Sequence, residues 1–169
     1  MKVLFIQYQP FPYFGIMSLS GYLKKHGFEC YCLVAAMEDD LLSEIRDINP
    51  DVIGFSVLST EHRWLCEITR LIKDNFNKPI IFTEVGYDAI EGSNKEPWRV
   101  LPTLATYKEN QDEQANCLES LLLVLTNRPW FKGFYWWNYF PRPDLGPLGY
   151  TLRGKKGEKV LSEWFKRLK

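Results

Sequence analysis

Glu84 is the residue whose type and position most clearly suggest chemistry. It follows the apolar residues 80–82, which are typical of a strand buried on both faces of a parallel sheet, and it precedes a turn-rich segment. The carboxyl ends of parallel strands are where α/β proteins hold their ligands. A carboxylate at such an end could act as a nucleophile, and it would then need a second acid or base near it.

The elements around Glu84 alternate between strand and helix patterns. Apolar runs predict five strands, at residues 2–8, 29–35, 51–58, 78–85 and 133–140. Amphipathic segments predict five helices, at residues 15–27, 38–49, 61–76, 112–127 and 155–169. With right-handed crossovers, this alternation predicts a single α/β domain over residues 1–169, a flavodoxin-like, doubly wound parallel sheet ordered 2-1-3-4-5.

Charge and hydropathy limit the classes of partner. The 21 Lys and Arg residues balance the 21 Asp and Glu residues, so the formal net charge at pH 7 is zero. A neutral chain has no general attraction for phosphate backbones or anionic lipid, and neither nucleic acid nor a membrane is expected as a partner. Because no apolar run reaches membrane-spanning length and the N-terminus lacks a signal-peptide pattern, a soluble cytoplasmic protein is expected.

The residue types that bind metals and flavins are not arranged as sites. The four cysteines lie in apolar segments without Cys-x-x-Cys spacing, and neither His26 nor His62 has companions at a metal-ligand spacing. The loop after the first strand, "QPFPYFG", has few backbone donors for a flavin phosphate. We therefore expect no metal and no flavin.

From residue 79 onward the chain resembles the last quarter of a β-mannanase-like glycoside hydrolase (βα)8 barrel. The resemblance rests on "IIFTEVGYDAIEGSNKEPW", "PWFKGFYWWNYFPRPD" and "GYTLRGKKGEKVLSEWF". It implies that Glu84 is the nucleophile and that Tyr87, Trp136 and Trp137 bind the substrate. Alternation along a strand turns the two tryptophans to opposite sides, so one is expected in the core and the other at the rim.

The second carboxyl group is the difficulty with this resemblance. Retaining glycosidases use two carboxyl groups about 5–5.5 Å apart, and in this clan the acid/base usually follows an asparagine. No Asn-Glu pair occurs in the chain. Glu61, just past the predicted third strand, is the nearest candidate by topology, whereas Glu91 and Glu96 are expected to be solvated. The sequence therefore predicts a vestigial nucleophile without a partner.

Residues 1–78 instead resemble the cobalamin-binding domain of radical-SAM proteins, which is itself flavodoxin-like. The resemblance rests on "KVLFIQYQPFPYFGIMSLSGYLKKHGFEC" and "INPDVIGFSVLST", and it assigns cofactor contacts to Ser56 and Leu58. The Asp-x-His-x-x-Gly motif that would supply a cobalt ligand is missing, and "TEVGYD" replaces the expected Gly-Gly loop. No cofactor, cobalamin included, is therefore expected to bind.

The two resemblances meet near residues 77–79 and predict a fusion, engineered or natural, of halves at 1–78 and 79–169. The expected role is a folded scaffold without evolved catalytic activity. Two alternatives stay open: a retaining glycoside hydrolase or carbohydrate-binding protein that uses Glu84, and a corrinoid-binding module. A monomer and a homodimer are both open, since the final helix carries an apolar face of Val160, Leu161, Trp164, Phe165 and Leu168.

Overall fold

The computed structural model describes residues 1–56, 61–96, 107–139 and 147–168. Within these residues, strands and helices alternate as the sequence predicts. The strands are β1 (Lys2–Gln7), β2 (Glu29–Val34), β3 (Val52–Ser56), β4 (Ile80–Val85) and β5 (Phe131–Trp136). The helices are α1 (Phe14–Lys25), α2 (Leu41–Ile48), α3 (His62–Asn75), α4 (Gln111–Leu125) and α5 (Lys156–Arg167), with a 3₁₀ turn at Ala35–Met37.

The five strands form one sheet in the order β2-β1-β3-β4-β5. The pairs β1–β2, β1–β3 and β3–β4 are all parallel, and Gln7 pairs with Ser56 across β1 and β3. The predicted α/β class and strand order are confirmed. The direction of the strand order reverses between β1 and β3, which is the type of position where open parallel sheets bind ligands outside the carboxyl ends.

The described chain divides into two compact units. Unit 1 comprises Met1–Glu84 with Trp130–Tyr135, and unit 2 comprises Val85–Pro129 with Trp136–Lys169. Packing defines these units, whereas resemblance to two families defined the predicted halves. The boundary at residues 78–79 therefore stays a prediction.

Unit 1 buries side chains on both faces of the sheet. Leu4 and Ile6 of β1 join one apolar cluster with α2 and α3, whereas Val3 and Phe5 join a second cluster with residues of α1. This division follows from strand alternation and explains why the run in β1 is continuously apolar. Gln7 continues the α1-facing series, so the carboxyl edge on that face is polar.

Unit 2 is built around α4 and α5. Its buried apolar residues include Ala89, Ile90, Ala115, Leu118, Leu122, Leu152 and Trp164. Ala89 and Ile90 lie between β4 and α4, so the connection after β4 contributes to this core. The apolar face predicted for α5 is divided, because Trp164 is buried while Phe165 and Leu168 are exposed. Among the described residues, no helix combines the length and the apolar character that crossing a membrane requires.

Candidate functional site

Glu84 lies one residue before the end of β4 and is half-buried. Its neighbour Thr83 is buried, and the Thr83 hydroxyl donates a hydrogen bond of 2.9 Å to the carbonyl of Phe55 on β3. Burial raises the pKa of the Glu84 carboxyl above its usual value of 4.5, since a charged group is less stable away from water. The strand thus holds at its end an acid that has lost part of its hydration.

Gly15 in the first turn of α1 contacts this carboxyl group. A Cβ atom on residue 15 would overlap Oε1 of Glu84 and would lie 3.5 Å from its Cδ. Only glycine therefore lets the helix approach the carboxylate without displacing it. Gly15 is the first residue of the predicted helix, but no sequence pattern linked it to Glu84.

Tyr13, at the N-cap position of α1, lies close to two carboxyl groups. Burial raises its pKa to about 12, and the charges of Glu61 and Glu84 act in the same direction. The side chain is only 6% exposed, and within the described part of the chain its hydroxyl has no hydrogen-bond partner. The hydroxyl therefore stays protonated near neutral pH and is available as a donor.

Glu61 immediately precedes α3 and is 7% exposed. Although it occupies the N-cap position, its side chain makes no capping hydrogen bond. Its charge, together with that of Glu84, raises the pKa of Tyr13. The sequence named Glu61 by topology alone and missed Tyr13, which lies in the loop between β1 and α1.

The residues predicted from the cobalamin resemblance end β3. Ser56 is fully buried, pairs with Gln7, and has a hydroxyl without a partner among the described residues. Leu58 lies outside the described residues. The Gln7 amide donates to the carbonyls of Gln9 (2.7 Å) and Phe11 (2.9 Å) and so orders the loop that leads to Tyr13. A cofactor contact at Ser56 stays a prediction.

The predicted aromatic residues lie in unit 2 and differ in exposure. The indole of Trp136 is half-buried, donates 2.8 Å to the carbonyl of Tyr150, and lies 6.3 Å from the ring of Tyr87. Trp137 is 49% exposed, and a cis peptide bond joins it to Asn138. Trp136 is therefore not a core residue, and Trp137 follows the last residue of β5, so the predicted division into one core and one rim tryptophan stays a prediction. Trp137 is thus more exposed than Trp136.

Gly86 maintains the backbone next to these aromatic residues. The amide of Trp137 donates 2.7 Å to the carbonyl of Val85. A Cβ atom on residue 86 would overlap the carbonyl oxygen of Trp137 and would come within 3.0 Å of the Tyr150 ring. A residue larger than glycine would therefore push residue 137 away.

A buried polar group supports the same part of unit 2. Burial raises the pKa of Asp88 to about 6, although the charge of Lys155 and a hydrogen bond from Tyr150 oppose the rise. The Gln114 amide donates to the carbonyls of Tyr87 (2.7 Å) and Tyr150 (3.1 Å). These contacts, which sequence patterns did not predict, hold residues 87 and 150 in place. Tyr87 also lines an open pocket of about 710 Å³ along α4.

Comparison with known proteins gives a family and a set of similar folds. Residues 45–143 match Glycoside Hydrolase Family 113. The family 113 β-mannanase AaManA from Alicyclobacillus acidocaldarius, solved in complex with ManMIm, is 22% identical with a TM-score of 0.61, over 92% of this chain and 61% of that chain. A family 113 β-1,4-mannanase, solved as a complex, is 18% identical with a TM-score of 0.59, over 90% and 61%. A family 2 β-galacturonidase from Eisenbergiella tayi, bound to galacturonate, is 18% identical with a TM-score of 0.54, over 99% and 33%. No curated protein matches.

These similarities cover more than the predicted C-terminal half. The chain spans about 61% of the length of the first two mannanases, and identities below 25% make the structural likeness one of fold. The family match begins at residue 45, ahead of the predicted junction, and includes Glu61, Glu84 and both tryptophans. The predicted β-mannanase resemblance is confirmed. Nothing in the comparisons shows the cobalamin-binding domain predicted for residues 1–78.

Proposed function

Because the chain belongs to Glycoside Hydrolase Family 113, we propose that Glu84 is the nucleophile of a retaining hydrolase for β-linked mannosides. The supporting observation is the position of Glu84 near the carboxyl end of β4, inside the matched region and held against Gly15. Two of the similar solved structures are β-mannanases, which suggests the class of substrate. A retaining nucleophile forms a covalent glycosyl-enzyme that water then hydrolyses.

The partial burial of Glu84 determines how the proposed reaction rate depends on pH. A carboxyl group attacks only when ionised, and burial raises the pKa of Glu84. The reactive fraction is therefore lost as the pH falls through this raised pKa. We expect the acid limb of the rate profile to lie above the usual pKa of an exposed glutamate.

In unit 2, the proposed contact with carbohydrate is the exposed indole of Trp137. Aromatic faces pack against apolar sugar surfaces, and Trp137 is 49% exposed. The Trp136 indole already donates to Tyr150, and the Tyr87 carbonyl already accepts from Gln114. We assign these two residues to support of the backbone near the indole.

Covalent trapping tests the nucleophile directly. The chain is incubated with 2-deoxy-2-fluoro-β-mannosyl fluoride, and intact-mass and peptide mass spectrometry locate the label. We expect one fluoromannosyl group on Glu84, no label in Glu84→Gln, and normal labelling in the control Glu91→Gln. Glu91 is a suitable control because it is exposed and paired with Lys108 at 3.4 Å. A label on another residue, or no label at all, would refute the proposal.

Two alternatives from the sequence stay predictions, namely a scaffold without catalytic activity and a corrinoid-binding module. An unlabelled chain without turnover of aryl β-mannosides would favour the scaffold. A saturable change in the absorption spectrum of cobalamin on titration with the chain would favour the corrinoid module.

A further inference from the structure

The pocket along α4 is formed by a second face of that helix. One face packs into the core of unit 2 through residues such as Leu118 and Leu122. A different face, whose residues recur between 113 and 125 at spacings of three and four, lines the pocket of about 710 Å³. Small-molecule sites usually have volumes of about 300–1,000 Å³. Every described residue that lines this pocket belongs to unit 2, whereas Glu84 belongs to unit 1.

The acidic residues at the pocket already have hydrogen-bond donors. Both oxygens of Asp112 accept from the Lys156 ammonium group at 2.6 Å. Glu113 accepts from the backbone amide of Gly92 at 3.1 Å and from that of Asn94 at 2.9 Å. Because these carboxylates are engaged, a cationic ligand gains little from them, and their charge disfavours an anion. The pocket therefore favours a neutral ligand.

The other lining residues combine polar groups with apolar surface. Asn116 and Ser120 are exposed and lie one turn apart on α4, so an amide and a hydroxyl group can bind the same ligand. Leu121 and Leu125 are half-buried and provide apolar surface, and the ring of Tyr87 adds an aromatic group. A sugar has the matching combination, with hydroxyl groups at the edges of its ring and C–H groups on the faces.

The length of the pocket indicates an oligomer rather than a single sugar. The lining residues of α4 extend from 113 to 125, which corresponds to about 18 Å at about 1.5 Å per residue. Since one sugar unit is about as long as one helical turn of about 5.4 Å, this face can contact about three linked units.

We propose that this pocket is a second carbohydrate site, which binds a short neutral oligosaccharide through Asn116, Ser120 and the ring of Tyr87. The site holds the carbohydrate on the protein and performs no chemical step. The carbonyl of Tyr87 is bound to Gln114, so the residue that supports the backbone also presents its ring to the pocket. Binding here does not depend on the role of Glu84, and only the choice of a manno-oligosaccharide as a probe comes from the proposed function.

Cys117 provides a reporter inside the pocket. It is half-buried, and burial together with the charge of Glu113 raises the pKa of its thiol to about 11. Cys66 is exposed on α3 in unit 1 and serves as an internal control. Alkylation by iodoacetamide at about pH 9, followed by peptide mass spectrometry, gives the rate at both thiols in one chain. The Glu84→Gln chain is used, so that the proposed reaction does not consume the probe.

Neutral and charged oligosaccharides should give different results. Mannotetraose and cellotetraose are the neutral probes, and tetragalacturonate is the acidic one. At about ten times its dissociation constant, a neutral probe should slow the alkylation of Cys117 about tenfold and leave Cys66 unchanged, because the bound fraction is protected. Tetragalacturonate should not protect Cys117.

Three results would overturn the proposal. The first is no protection of Cys117 by either neutral probe at concentrations up to about 10 mM. The second is equal protection by the acidic oligomer or equal protection of Cys66. The third is a Cys117 that reacts only after the chain is unfolded in urea, because the pocket would then be closed to ligands.

Matched variants of α4 locate the bound sugar. Ser120→Trp should fill the pocket and abolish the protection of Cys117. Leu123→Trp places the same ring at an exposed position of α4 outside the pocket lining and should retain the protection. Equal protection in both variants would refute the assignment. Urea denaturation reports whether each variant is folded. If Ser120→Trp is unfolded, Asn116→Ala replaces it, and an unchanged dissociation constant instead of a rise of about 3–10-fold would refute the assignment.

The outcomes separate this inference from the proposed function. Labelling of Glu84 by the fluorosugar in the unaltered chain tests the nucleophile, whereas protection of Cys117 in the Glu84→Gln chain tests the pocket. Labelling without protection would refute the pocket and leave the nucleophile in place. Protection without labelling would refute the nucleophile and leave the carbohydrate site in place.

Discussion

Gly15→Ala should separate catalysis from stability. The added Cβ would overlap Oε1 of Glu84, which is the far end of a flexible side chain, so the carboxylate rather than the backbone should yield. Restoring ordinary contact requires a movement of about 1 Å. A misplacement of about 1 Å at a reacting group can cost about 10²-fold in rate.

Stability should change little or rise in the same variant. Alanine is favoured over glycine in a helix by about 0.5–1 kcal/mol, which offsets a side-chain rearrangement at Glu84. Gly21→Ala is the matched control, because residue 21 also lies in α1 and nothing lies within 4 Å of its added Cβ. We expect the control to gain stability and to keep the full labelling rate.

The assay combines two measurements on both variants. The rate of Glu84 labelling by the fluorosugar reports the position of the carboxylate, and urea denaturation reports the free energy of unfolding. A Gly15→Ala variant that is labelled as fast as Gly21→Ala would refute the contact as a determinant of the site. If Gly15→Ala lost stability while Gly21→Ala did not, the helix rather than the Glu84 side chain would have moved.

Three further predictions concern unit 2. Gly86→Ala should lower the free energy of unfolding by about 1–3 kcal/mol, because the added Cβ meets the backbone carbonyl of Trp137, which cannot rotate away. Thermal unfolding measures this loss, and an unchanged midpoint would contradict the prediction. Gln114→Ala should lower the free energy of unfolding by about 2–4 kcal/mol, because it removes a fully buried side chain and leaves two carbonyl groups without their donor. An unchanged midpoint in denaturant unfolding would contradict this prediction. The pKa of Asp88 is about 6 in the folded chain against an ordinary value of 3.8, so the native state binds this proton more tightly than the unfolded chain does. Proton binding therefore contributes to the free energy of unfolding below pH 3.8, and this contribution is lost as the pH rises to 6. Asp88→Asn should remove this fall, on the order of 2–3 kcal/mol, from the pH dependence of the unfolding free energy, and an unaltered dependence would contradict the assignment.

Sequence patterns predicted the fold because they report local constraints. Continuous apolar runs such as that of β1 require burial on both faces, and alternation with amphipathic helices allows few parallel topologies. The strand order 2-1-3-4-5 follows from these constraints and agrees with the structure. The cobalamin resemblance of residues 1–78 was less informative, because many unrelated domains share this arrangement of strands and helices.

The sequence by itself singled out Glu84 at the end of a buried strand, with the nucleophile role implied by the resemblance, and it predicted that Trp136 and Trp137 face opposite sides. Each of these inferences rests on a contiguous segment, in which strand alternation and motif order suffice. Only the tertiary structure decided that Gly15 packs against the Glu84 carboxyl group and that the charges of Glu61 and Glu84 both raise the pKa of Tyr13. These residues come from loops and helix starts after different strands, and they meet because parallel strands direct every such connection to one edge of the sheet. Contacts of this kind depend on the packing of α1 and α3 against the sheet, which no local pattern encodes.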